Sequence, residues 1–205
     1  RARDAHRAVA VVQAHPAVAT ARAPDGTTIL QQALYHRLAP VADALIAAGA
    51  PVDVHEAAIL GDAARVRHLA AADPSLVHAR AADGGTPLHY AAHFGHAEVA
   101  RELLKRGADA RAMAGPPFSN TPLHAACAGR QGALVALLLD AGAQPDVPDA
   151  RGHRPLHVAA AGGDVACVGA LLAAGADRFA KGPDGKAPLD HAKERGHAEV
   201  VAMLG

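Results

Sequence analysis

The chain has 205 residues, enough for one substantial core or an elongated array, and its 20 Lys and Arg balance 20 Asp and Glu. That neutrality removes the bulk attraction behind nucleic-acid and anionic-membrane binding, and no apolar run approaches the ~18–20 residues that span a bilayer. With three Phe, two Tyr, no Trp and a 51% hydrophobic content that is largely Ala, the core must be thin. Leu and Val packed on Ala suit short helices lying close together, and suit a large sandwich or barrel poorly.

The opening segment, RARDAHRAVAVVQAH, sets basic residues before a short apolar stretch, the pattern of a targeting peptide. An internal alignment speaks against that reading. His15-Pro16, Val18, Arg22, Asp25-Gly26 and Thr28 line up with Asp73-Pro74, Leu76, Arg80, Asp83-Gly84 and Thr86 at a constant offset of 58. Residues 1–27 are therefore expected to be the second helix and exit loop of a degenerate half-repeat. Residues 28–51 form a short repeat, with Thr28 at the start of its first helix and Gly49 closing its second. The step from Thr28 to Val52 is only 24 residues, so the projecting loop there is largely deleted. Asp53 with Glu56 three residues on is expected to start the next helix as a capping box.

Repeats 52–85, 86–120, 121–153 and 154–186 follow, the last three opening on TPLH, TPLH and RPLH, and residues 187–205 open on APLD as a C-terminal cap. These motifs are spaced by 35, 33 and 33 residues. Thr before Pro is an N-cap followed by the one helical position where a missing N–H costs nothing. Leu88, Leu123, Leu156 and Leu189 are expected to face the core. Small residues at Ala91-Ala92, Ala126-Cys127 and Ala159-Ala160 let neighbouring helices approach closely. The second helices bring Val99 and Leu103-Leu104, Leu134 and Leu137-Leu138, Val168 and Leu171-Leu172. Gly107, Gly142 and Gly175 end them where a left-handed residue is wanted.

Residues 83–110, DGGTPLHYAAHFGHAEVARELLKRGADA, resemble the ankyrin repeat almost position by position, and with the weaker copies the resemblance covers the whole chain. It implies an all-α solenoid in one domain, 1–205, built from stacked antiparallel helix pairs joined by projecting fingers. It also implies a non-catalytic protein–protein interaction module whose concave face, formed by fingers and first helices, holds a protein or peptide. An alternative is a regulatory, inhibitory or targeting module of a partner enzyme.

The chemistry-bearing residues are few. His89, His93 and His96 have the spacing of metal ligands on a helix. Yet His89 recurs as His55, His124 and His157, and His96 recurs as His197, so both belong to the architecture. His93 has no counterpart. Cys127 lies three residues after His124, but it occupies a packing position, and Cys167 stands in for a core Val; both read as buried, reduced thiols. Only Ser75 and Ser119 offer hydroxyl nucleophiles of the serine type, and no phosphate-cradling loop with Lys and Ser or Thr occurs. No catalytic residue, cofactor or metal is assigned.

Specificity is expected where the repeat is broken. The variable first-helix positions read Gln32, Tyr35, His36; Glu56, Ile59, Leu60; Tyr90, His93, Phe94; Ala125, Ala128, Gly129; Val158, Ala161, Gly162. The large side chains gather in the first three groups. The loop ARAMAGPPFSN carries two residues beyond the 33-residue period and displays Met113 and Phe118. The expected partner-binding set is Tyr90, His93, Phe94, Met113 and Phe118, flanked by Tyr35, Ile59 and Leu60. A monomeric cytoplasmic protein without nucleic-acid binding or membrane insertion is expected, and its Ala and Arg richness fits a high-GC, bacterial genome.

Overall fold

A computed structural model of the chain describes residues 2–116 and 119–205, with the side chains of residues 2 and 3 left aside. Among the described residues there are thirteen α-helices and no strand. After α1 (Ala2–Ala14) come six helix pairs: α2 (Ile29–Tyr35) with α3 (Ala39–Ala47), α4 (Val54–Leu60) with α5 (Ala63–Ala72), and α6 (Pro87–Phe94) with α7 (Ala97–Lys105). The array continues with α8 (Pro122–Gly129) and α9 (Gly132–Asp140), α10 (Pro155–Gly162) and α11 (Val165–Ala173), and α12 (Pro188–Glu194) and α13 (Ala198–Leu204). None of the helices is long and apolar enough to cross a membrane.

Helices this short do not persist alone, so each depends on its caps and its neighbours. Thr28 Oγ1 accepts the Gln31 N–H at 2.8 Å, Asp53 Oδ1 the His55 N–H at 2.7 Å, and Asp164 Oδ1 the Cys167 N–H at 2.7 Å. Pro87, Pro122, Pro155 and Pro188 occupy the first helical positions. The first helices α2, α4, α6, α8, α10 and α12 pack one on the next as an inner layer, and the second helices form an outer layer behind them. Leu88, Leu123, Leu138, Val168 and Leu171 are fully buried between the layers, as are Ala91, Ala92, Ala126, Cys127, Ala159 and Ala160. Leu189, Leu104, Leu137 and Leu172 are only partly buried and pack against the edge of that core.

Two 3₁₀ turns, Pro16–Thr20 and Pro74–His78, occupy the segments aligned at the offset of 58. Arg22 and Arg80 do the same work in both: each donates from Nη1 to a turn carbonyl, Gly26 at 2.9 Å and Gly84 at 3.0 Å. α1 packs on α3 in the manner of an outer helix.

The array has a seam where the finger is missing. Only residues 48–52 separate α3 from the N-cap of α4, and the outer helices α3 and α5 do not pack as their counterparts do. The hydrophobic core divides there: one cluster runs from Val12 to Ala50, the other from Ala57 to Leu204. Finger 23–28 lies directly on finger 81–86, close enough that a Cβ added at Gly26 would meet Ala82 Cβ at 3.3 Å. Polar side chains cross the seam in place of apolar ones. The Gln31 amide donates to the Tyr90 hydroxyl at 2.8 Å, and Tyr90 donates to Asp83 Oδ1 at 2.5 Å.

The expected capping box at α4 forms only by half. Asp53 caps the helix, but the Glu56 side chain turns inward and accepts the Thr28 hydroxyl at 2.8 Å, leaving Oε2 buried without a partner. With no finger to fill the gap, the N-cap of α2 lies within reach of Glu56. Burial and the neighbouring Asp53 carboxylate push the Glu56 pKa up to about 7.

Candidate functional site in the concave face

The recurring histidines tie each inner helix to the following finger. His89 Nδ1 accepts the Thr86 N–H at 3.2 Å, and the Nε2–H donates to the Asn120 carbonyl at 3.0 Å. His124 does the same with Thr121 and His153, and His157 with Arg154 and Lys186. Burial holds the His89 pKa down at about 4, and burial likewise lowers those of His124 and His157, so all three are neutral at physiological pH. His55 departs from the series: burial alone would lower its pKa, but the Asp53 carboxylate at 3.4 Å raises it. His96 and His197 reach back to the preceding pair, donating to Ile59 O at 2.8 Å and Ala161 O at 3.1 Å.

The residues that break the repeat come together only in part. Tyr35, at the end of α2, reaches across α4 to the last turn of α6. Its ring stacks on His93 with centroids 5.7 Å apart and meets Phe94 edge-on at 5.6 Å, while His93 and Phe94 are 5.0 Å apart. Such offset and edge-to-face pairs place the positive ring edge against a negative face. Tyr35 is 40% exposed and His93 and Phe94 are half-buried, so the three present one aromatic surface. Beneath it lies a cavity of about 230 Å³ walled by Tyr35, Asp83, Tyr90, His93, Asn120 and Ala125. A second, of about 350 Å³, shares Tyr35 and Asp83 with it and extends to Asp25, Gln31, Gln32 and His36. The carboxylate of Asp83 thus faces both, and its charge, after burial, holds the Tyr35 phenol above its usual pKa.

Three expected contact residues are placed differently. Tyr90 is only 3% exposed: its hydroxyl is consumed by Gln31 and Asp83, and its ring lies 5.8 Å from that of His55, so it holds the seam and lines the cavity instead of meeting a partner directly. Ile59 is 4% exposed, packed in the core that starts at α4. Leu60, at 39% exposure, remains on the surface. Met113 is exposed but lines a different cavity, with Val77, Arg80 and Thr86, and its carbonyl accepts Arg80 at 2.7 Å. Phe118 lies outside the described residues.

The absence of a side chain at Gly129 has a packing cause. A Cβ added at Gly129 would sit 2.0 Å from the His93 carbonyl oxygen, so α8 approaches α6 backbone to backbone there. Two residues of the site carry no signal in the repeat: Gln31, whose amide spans the seam, and Asp83, a turn residue whose Oδ1 accepts both the Gly85 N–H and the Tyr90 hydroxyl. In the last inner helix His191 and Arg195 occupy the same variable register.

Comparison with known proteins agrees with this architecture. A family model described as ankyrin repeats (3 copies) matches residues 54–149 and 130–205. Over 81 residues the chain is 44% identical to the serine/threonine-protein kinase VIK of Arabidopsis thaliana, which is 40% of this chain and 18% of that protein. Over 58 residues it is 50% identical to human ankyrin repeat and SOCS box protein 16 and 47% to the mouse protein, 28% of this chain and 12% of each relative. The chain thus spans less than a fifth of the length of these curated relatives. With helix pairs, fingers, cap histidines and family match in agreement, the chain belongs to the ankyrin-repeat family.

Proposed function

We propose that the protein is a non-catalytic binding module that holds a protein or peptide partner in its concave face, over the surface formed by Tyr35, His93 and Phe94. The observation that carries this reading is the exposed aromatic cluster above a cavity, built from side chains that do not recur in the other repeats. Large aromatic anchors over a concavity, within a rim that excludes water, are where binding energy concentrates. Asp83 and Asp25 at the cavity walls suit a partner side chain with an apolar stem and a basic or hydrogen-bond-donating end. The consecutive packing of the inner helices, with α1 packed on α3, supports treating 1–205 as one array. Two buried free cysteines, Cys127 and Cys167, fit the reducing cytoplasm.

A second reading makes the array a regulatory or targeting module of an enzyme; the 81-residue match inside a protein named as a kinase favours it. Affinity capture from the source cell with wild type and a Tyr35→Ala/Phe94→Ala variant tests the interface. Loss of a specific partner with unchanged helical content supports it, and an identical partner set removes it. If the captured partner is an enzyme whose rate changes on adding the array, the second reading holds.

A further inference from the structure

We propose that His153, Asp184 and His191, at the far end of the array from the aromatic cluster, form a binding site for a divalent metal ion of the zinc class. The three side chains come from separate elements: His153 from the finger before α10, Asp184 from the finger before α12, and His191 from α12 itself. One ligand atom from each lies within 4.8 Å of the other two, and His191 Nε2 is 3.6 Å from Asp184 Oδ2. Tetrahedral coordination with bonds of about 2.0–2.1 Å sets ligand atoms ~3.3 Å apart, so the three atoms need to close by at most about 1.5 Å.

Three further observations point to a ligand. His191 Nε2 is buried with no hydrogen-bond partner and meets Asp184 Oδ2 only at 3.6 Å, a deficit that a metal bond removes. Asp184 Oδ1 is occupied by the Lys186 N–H at 3.1 Å, which fixes the carboxylate and leaves Oδ2 toward His191. His153 and His191 line one cavity of about 360 Å³, with room for a water or partner group to complete the shell.

Register strengthens the assignment. Asp184 and His191 stand where the earlier repeat has Asp83 and Tyr90, which join by a hydrogen bond at 2.5 Å. The ring of the preceding cap histidine lies 5.8 Å away in both places, His55 from Tyr90 and His157 from His191. The scaffold that holds a hydrogen-bonded pair near one end therefore holds a pair of metal-ligand type at the other. His153 adds a third ligand where the other copies have Gly85, Asn120 and Lys186. His157 is excluded as a ligand because both its ring nitrogens are engaged by Arg154 and Lys186. Arg130, Arg151 and Arg195 line the same cavity with Asp149, and the excess positive charge opposes a cation there, so binding weaker than that of a closed structural site is expected.

The test is titration of the metal-free protein with zinc by calorimetry, and with cobalt(II) by its d–d absorption. One ion per chain is expected, with binding weakened by more than about tenfold in His153→Ala and in His191→Ala. His93→Ala, in the other cavity, should bind as wild type does, which separates this site from adventitious surface histidines. Zinc should also raise the melting temperature of wild type and of Asp184→Glu, a variant that keeps the carboxylate, but not of His191→Ala. Absence of binding, or equal affinity in wild type and both His variants, overturns the proposal; neither result bears on the aromatic groove.

Discussion

Glu56→Gln isolates the one carboxyl group that the seam buries without full compensation. Glu56 is 1% exposed, with Oε1 bonded to Thr28 and Oε2 alone, and its pKa rises from 4.5 to about 7 on folding. A raised acid pKa means the folded state favours the protonated form. The associated stability is fully present below the unfolded pKa near 4.5, falls as pH rises, and is gone above about 7. At about 1.4 kcal/mol per pKa unit, the displacement corresponds to roughly 3 kcal/mol between the two ends of that window.

Glutamine keeps the shape and stays neutral, so the variant should match wild type within about 0.5 kcal/mol near pH 4.5 and exceed it by roughly 2–3 kcal/mol at pH 8. Urea denaturation followed by far-UV circular dichroism from pH 4.5 to 8.5 measures both curves. The difference between them cancels the opposite trend from His89, His124 and His157, whose lowered pKa values remove stability as pH falls below 6.5. Asp53, held below the usual carboxylate range by the His55 and Glu56 side chains despite its burial, stays ionised across the whole window. Parallel curves across the whole range would refute the reasoning, because they would mean Glu56 is solvated or paired in solution.

Two further predictions follow from packing. Gly129→Ala sets a methyl against the His93 carbonyl at 2.0 Å, so α6 and α8 must separate, costing about 1–3 kcal/mol by denaturation; a neutral effect would show that the helices are not in backbone contact. Leu45→Ala and Leu138→Ala remove equal, fully buried side chains from the two separate cores, at about 2–5 kcal/mol each. Hydrogen exchange should localise the first loss to α1–α3 while α8–α11 keep their protection, and uniform loss across the chain would contradict a divided core.

Much of this was legible in the residues. Repetition of TPLH, Ala pairs and GA at fixed spacing fixes helix starts, inward faces and helix ends, because each is a local requirement met by a local residue: a hydroxyl or Asp cap, a Pro without an N–H, a Gly at positive φ. The same repetition separated scaffold from variation, and correctly set His89 and His96 apart as hydrogen-bonding members of the stack. The deletion after residue 47 could also be read, as a short interval between Thr28 and Val52.

What the deletion does could be seen only in three dimensions. Removing a finger brings elements from non-adjacent repeats together, so Gln31 meets Tyr90 and Tyr35 meets Phe94 across an intervening helix. Side-chain period says which face a residue occupies, but not whether a neighbour two repeats away covers it. That is why Tyr90 and Ile59 are buried and Glu56 leaves its capping box. Likewise His153, Asp184 and His191, unremarkable in three separate segments, come within 4.8 Å of one another only where consecutive repeats stack. The sequence by itself determined the repeating unit, through short-range backbone and packing rules; the tertiary stack alone decided which of the irregular residues share a surface, because those contacts depend on how neighbouring repeats close over a missing loop.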